Sequence, residues 1–229
     1  MDHNKKSPSI IFEGGGGKSN GFFMIPIFFV ISGFLFKDKL IRKFIETRAK
    51  RILLTHFVAL TLTTILVFIL WSGTREVWEK YVFGILYSDL RASNIALLAN
   101  NTLWFLPCFF VAELIFLLEF KFIDSTPRRK ILIVMLISFI GVDISTIICL
   151  PWGIDTAMAM QIFILAGYFL KERFDKISTL QLILIALIVI PTAELNQRVD
   201  TALRIYNNPI FYFLDGILGS ILIFKLSQL

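Results

Sequence analysis

The chain is poor in the residues on which most soluble chemistry depends. It has 2 cysteines and 2 histidines in 229 residues, and 17% charged residues where soluble proteins average about 25%. So few cysteines exclude a disulfide-rich scaffold. Cys108 and Cys149 each lie in or at the end of an apolar run, where a cysteine is ordinarily an inert small hydrophobe. Both fall towards the same side in the topology derived below, so a single bridge between them is compatible with the sequence, which holds no geometry to support it. His3 and His56 have no ligand cluster around them, and no metal site is expected. The first twenty residues, MDHNKKSPSIIFEGGGGKSN, lack the apolar core of a cleavable signal peptide.

What the chain has in abundance is apolar sequence in blocks. It is 56% hydrophobic with a mean hydropathy of +0.76. The blocks read 21–36, 52–71, 102–120, 131–149, 157–170, 178–193 and 209–224, each bounded by charges or by breakers such as Pro127, Pro151-Trp152-Gly153 and Asn207-Asn208-Pro209. Helices apolar on all sides belong in lipid, and a span takes about 20 residues. The fold class expected is therefore all-α, a polytopic membrane helical bundle of about seven transmembrane helices. Residues 1–20 form a polar extramembrane tail, and 21–229 form one membrane domain.

Net charge is +6, but the cations sit in short stretches between apolar blocks. They read as topology determinants, and nucleic acid is not expected as a partner. The segment from Phe28 to Arg51, FFVISGFLF followed by KDKLIRKFIETRAKR, joins a span to a loop with seven cations: Lys37, Lys39, Arg42, Lys43, Arg48, Lys50 and Arg51. Placing that loop in the cytoplasm puts 121–130, 171–177 and the tail after 224 there too. Those segments hold 15 of the 23 Lys and Arg residues, and the opposite side holds 8. The positive-inside rule and the helix count agree. The segment 72–101, with Trp78, Tyr81, Phe83 and Tyr87 among scattered charges, suits an interfacial stretch, with Trp104 in an aromatic belt.

Several motifs have plain readings. Gly14-Gly15-Gly16-Gly17-Lys18-Ser19 ends like a phosphate-binding loop, but the required first glycine is Phe12, so it reads as a linker. His56 is expected just inside the cytoplasmic face as a boundary residue. Ser32-Gly33 marks a place where helices can approach closely. Polar groups inside spans cost several kcal/mol unless they meet a cavity or a partner, which singles out Glu113, Asp143, Gln161 and Asp215. Arg48, Lys50 and Arg51 have two readings: an orientation signal, or contacts for the phosphates of an anionic cytosolic donor.

Three stretches carry a family resemblance. Phe23-Met24-Ile25-Pro26-Ile27-Phe28-Phe29-Val30-Ile31-Ser32-Gly33-Phe34-Leu35 resembles a Met-Pro-x-Phe-Phe-x-x-Ser-Gly-Phe-Leu element, Phe44–Leu54 an Arg-rich element, and Asn101–Pro107 through Glu113-Leu114 a Leu-Trp-Phe-Leu-Pro element. Leu150–Asp155 and Gly167–Lys171 add a weaker fourth match. Together they resemble the bacterial integral membrane O-acyltransferases called acyltransferase family three, nearest the branch of fucose 4-O-acetylase-like and exopolysaccharide acetyltransferases.

That resemblance implies transfer of an acyl group, usually acetyl, from cytosolic acyl-CoA to a hydroxyl of an extracytoplasmic carbohydrate in the bacterial inner membrane. Acyl-CoA is the donor substrate, no bound cofactor is implied, and the partners are the donor, a glycan acceptor and the bilayer. Arg48, Lys50 and Arg51 map to the donor side; Trp104, Glu113, Asp155 and Gln161 map to the acceptor side or a cavity. The family's essential histidine belongs on a helix before the Phe-Phe-x-x-Ser-Gly element. The chain shows no such helix, and the last helices look cut short, so an incomplete or inactive copy is expected and the catalytic residue is unassigned. Rival readings are a small transporter or flippase for a lipid-linked saccharide and a non-catalytic assembly partner.

Overall fold

The breakers of the sequence become helix boundaries in the computed structural model, which describes residues 24–38, 40–70, 83–88, 101–123, 126–197 and 199–228. The interfacial reading of 72–82 and 89–100, the glycine run and His3 lie outside these residues. The helices are α1 (Met24–Phe34), α2 (Ile41–Arg48), a π-helical turn (Ala49–Leu53), α3 (Leu54–Leu70) and a short α4 over 83–87. After a 3-10 turn (Asn101–Trp104) come α5 (Phe105–Phe122), α6 (Pro127–Ile147), α7 (Ile154–Ala159), α8 (Gln161–Leu170), α9 (Thr179–Leu195) and α10 (Pro209–Leu226). Pro127 and Pro209 open their helices, where the missing N–H costs nothing. The Asn208 side chain caps α10 by accepting from the backbone N–H groups of Ile210 and Phe211, and Ser178 with Gln181 forms a capping box on α9.

Among the described residues, four helical segments are long and apolar enough to cross a bilayer: Ile41–Val67, Thr102–Phe122, Pro127–Ile147 and Pro209–Leu226. The pair α7 and α8, bent by 52°, makes a fifth if taken as one broken span. The all-α membrane bundle stands, and among the described residues four or five of the seven expected spans meet the length and composition of a crossing helix. The first run yields only 11 helical residues in α1, and α9 has 17. Large apolar side chains such as Leu62, Leu66, Leu136, Leu187 and Ile210 are exposed on its outer surfaces, as lipid-facing residues are.

Two glycines set the centre. A Cβ at Gly33 would overlap the Ile164 carbonyl oxygen, and one at Gly167 would overlap that of Val30. Helices α1 and α8 therefore cross backbone to backbone, the close approach that small residues permit in membranes. Around this crossing Phe29, Val30, Cys108, Ala112, Met160 and Phe163 are wholly buried.

The basic segment is not the loop expected of it. From Ile41 it is helical, and it runs antiparallel to α5: Phe44 stacks on Phe110 with ring centroids 6.3 Å apart, Arg48 meets Glu113, and His56 meets Leu103. Spacing explains this. Ile41, Phe44 and Arg48 lie on one helical stripe, so the inner face has apolar surface to bury while Arg42 and Lys43 stay exposed. His56 therefore sits about 22 Å along a helix that begins at Ile41, not at a cytoplasmic boundary.

Helix ends sort by charge. Lys121 reaches Asp38 at 3.2 Å, the rings of Phe34 and Phe174 lie 5.7 Å apart, and Lys225 sits 4.5 Å over the Phe174 ring. The ends of α1, α5, α8 and α10 thus share one pole, the one the cation distribution assigns to the cytoplasm. The opposite pole gathers α4, the start of α5 and the segments 148–155 and 199–206. There the Trp152 indole donates to the Leu86 carbonyl at 2.8 Å, and the Tyr87 hydroxyl to that of Cys149 at 2.5 Å. Cys108 and Cys149 form no disulfide.

Candidate functional site

Three of the stretches singled out in the sequence converge inside the bundle. Glu113, at the middle of α5, has a side chain only 6% exposed; the Arg48 guanidinium reaches its Oε1 at 2.9 Å from the end of α2. The Ser32 hydroxyl of α1 donates to the same oxygen at 2.8 Å. One carboxylate oxygen thus ties together the Ser-Gly helix, the Arg-rich helix and the helix that follows Leu-Trp-Phe-Leu-Pro. The cation balances the anion and the hydroxyl adds a charge-assisted bond, so the carboxylate can stay inside without an unmet charge.

Gln161 completes the neighbourhood. At the start of α8 its amide donates to the Ala157 carbonyl at 2.6 Å and to the Ala112 carbonyl at 3.2 Å, one residue from Glu113. Its own carbonyl oxygen has no partner among the described residues. A buried polar group therefore lies against the backbone of α5 at the break between α7 and α8. Of the three basic residues expected to act together, only Arg48 turns inward; Lys50 and Arg51, in the π-helical turn that follows, are exposed.

Trp104 and Asp155 belong to a different place. Trp104 is buried in the 3-10 turn before α5, its ring edge-on to Phe105, about 13 Å along the helix from Glu113. Asp155 is held at that same pole by Arg204: the guanidinium Nε lies 2.9 Å from Oδ2, and both side chains are 0% exposed. The Leu150 backbone N–H also donates to Asp155, at 3.2 Å. Arg204 has φ +56°, a left-handed backbone uncommon in a non-glycine residue, while its side chain is held on Asp155. Tyr206 lies next in this segment, and burial pushes its phenol up to about 12.

Sequence reasoning missed Arg204, because a lone cation between Leu203 and Ile205 in an outer segment looks like surface charge. It also read Ser32 only as a small residue, and Ser88 not at all. Ser88, with φ +52°, sets its hydroxyl 2.7 Å from Nε2 of the buried His56, whose Nδ1 faces the Leu103 carbonyl at 3.0 Å. Of the other polar span residues, the Asp215 carboxylate accepts from the Thr192 hydroxyl, joining α9 to α10. Asp143 is exposed.

Fold and site together define a multi-pass helical membrane protein organised about an internal ion pair. A family model described as an acyltransferase domain, that of acyltransferase family 3, matches residues 2–224, and the chain belongs to that family. No curated protein matches it, and no solved structure does.

Proposed function

We propose that this chain is an O-acyltransferase of the bacterial inner membrane, moving an acetyl or similar acyl group from cytosolic acyl-CoA to a hydroxyl of an extracytoplasmic carbohydrate. Family membership supports acyl transfer. The observation that carries the finer reading is the meeting of Ser32, Arg48 and Glu113, because it gathers the elements on which the family resemblance rests. Lys50 and Arg51, exposed beside this cluster, are free to meet the phosphates of the donor, while Arg48 is spent on Glu113 and acts as a positioning residue. On the acceptor side, the glycan would meet the outer pole, whose segments are held in place by the buried Trp104 and Asp155, with Gln161 buried deeper in the bundle.

In the reaction, the acceptor oxygen attacks the thioester carbonyl, a C–O bond forms, the C–S bond breaks and the CoA thiolate leaves. The acceptor proton passes to a general base. No residue is assigned as that base; His56 lies towards the outer pole with Nε2 at the Ser88 hydroxyl and Nδ1 at the Leu103 carbonyl.

Membranes carrying the chain, supplied with labelled acetyl-CoA, are expected to place label on envelope carbohydrate, and Glu113→Gln to lower this at least tenfold. Purified chain is expected to bind acetyl-CoA, more weakly when Lys50 and Arg51 are both alanine. Absence of both donor binding and carbohydrate labelling, with Glu113-dependent movement of a lipid-linked saccharide instead, would replace this reading with a transporter.

A further inference from the structure

A cleft of about 200 Å³ opens between α1, α8 and α10 at the cytoplasmic pole. Its walls are Val30, Ala166, Phe169, Leu170, Ile217 and Ile221, and its one charged lining residue is Arg173. The order of these residues is informative. On α8 and the turn after it, Ala166, Phe169, Leu170 and Arg173 follow the i, i+3, i+4, i+7 stripe of one helix face. On α10, Ile217 and Ile221 lead to Lys225 on the same stripe, and the Lys225 ammonium sits 4.5 Å over the Phe174 ring beside Arg173. Both walls are thus apolar towards the membrane interior and end in a cation at the same pole. The apolar stretch from Ile217 to Lys225 is about 12 Å long, most of the roughly 15 Å half-thickness of a bilayer core. Among the described residues Arg173 takes part in no ion pair, so its charge is available.

We propose that this cleft is a binding site for one anionic phospholipid of the inner leaflet, with an acyl chain along Ala166, Leu170, Ile217 and Ile221 and its phosphate between Arg173 and Lys225. An apolar cleft in a membrane protein is filled by lipid in any case. The paired cations at its mouth select a negatively charged headgroup over a zwitterionic one. An interfacial cation near an anionic lipid is worth about a fivefold factor in binding, so the two together give on the order of twenty-five.

The test is native mass spectrometry of the full chain in micelles holding equal phosphatidylglycerol and phosphatidylcholine. Preferential retention of phosphatidylglycerol is expected, reduced about fivefold in Arg173→Ala and brought near parity in the Arg173→Ala, Lys225→Ala double variant. Ala166→Trp, which fills the apolar part, is expected to lower retention of both lipids. Lys176→Ala removes an exposed cation of the same segment that does not line the cleft, and is expected to leave the ratio unchanged. Equal retention of the two lipids by the unaltered chain overturns the proposal, as does an effect of Lys176→Ala equal to that of Arg173→Ala, which would mean diffuse surface charge. Displacement of the lipid by palmitoyl-CoA, with coenzyme binding lost in Arg173→Ala, would reassign the cleft to the acyl donor.

Discussion

Glu113 and Asp155 are both buried carboxylates paired with arginine, yet the two pairs answer to substitution differently. The Arg48 side chain is 37% exposed, so removing Glu113 leaves a cation that can turn to water, whereas removing Arg48 strands an anion that cannot. Arg48→Ala is therefore expected to destabilise by about 3 kcal/mol and Glu113→Ala by distinctly less, as read from thermal unfolding in detergent. Asp155 and Arg204 are both wholly enclosed, so each single change, Asp155→Leu or Arg204→Met, is expected to cost about 3–5 kcal/mol. The double variant is expected to be more stable than either single one, and strict additivity would show that the two do not act as a pair.

Tyr206 supplies a pH test at the same scale. Its phenol is held neutral to about 12, while in the unfolded chain it ionises near 10. Between those values the unfolded state binds fewer protons, so stability falls as pH rises through that window and is fully present below pH 10. The contribution lost is on the order of 3 kcal/mol. Tyr206→Phe, measured by unfolding from pH 9 to 12, is expected to show an alkaline decline smaller by up to that amount.

Among the elements, the crossing of α1 and α8 has the least room. The Cβ of Gly33→Ala or Gly167→Ala meets backbone carbonyls, which have no rotamer to escape into, whereas at Gly216 the nearest atoms belong to the Phe163 side chain. Gly33→Ala and Gly167→Ala are each expected to cost about 3 kcal/mol, the upper end for overpacking, with Gly216→Ala milder. Equal folded yields and melting points for all three would show that the crossing is looser than described. The sequence placed a close approach at Ser32-Gly33 through residue size alone, but could not name its partner: Gly167 lies far along the chain, and size says nothing of which small residue is met. Helix α2 was misread for a related reason. Its many cations outweigh the short Ile41, Phe44, Arg48 stripe in any average, and only packing against Phe110 and Glu113 shows that one face is inward.

For the whole molecule, the charge-sorted poles make a labelling prediction. In a Cys149→Ser background, cysteines replacing Lys171 or Lys176 are expected to react with an impermeant thiol reagent only in inside-out vesicles. A cysteine at Asn207, which is exposed, is expected to react only in right-side-out ones. Labelling of both groups from the same side would break the assignment of the two poles to opposite faces of the membrane.

By itself the sequence determined the class, the charge-sorted pole and the family. These rest on composition, on the length of apolar runs and on short contiguous motifs, all of them local quantities. It singled out Glu113, because a carboxylate inside a span must meet a cavity or a partner. Only the tertiary structure decided who the partners are: Arg48 and Ser32 for Glu113, Arg204 for Asp155, Ser88 for His56. It also decided that Lys50 and Arg51 stand apart from Arg48, and which helices among the described residues are long enough to span. Pairings between residues 32, 48 and 113, or between 155 and 204, depend on how helices cross and bend, and no single segment of the chain records that.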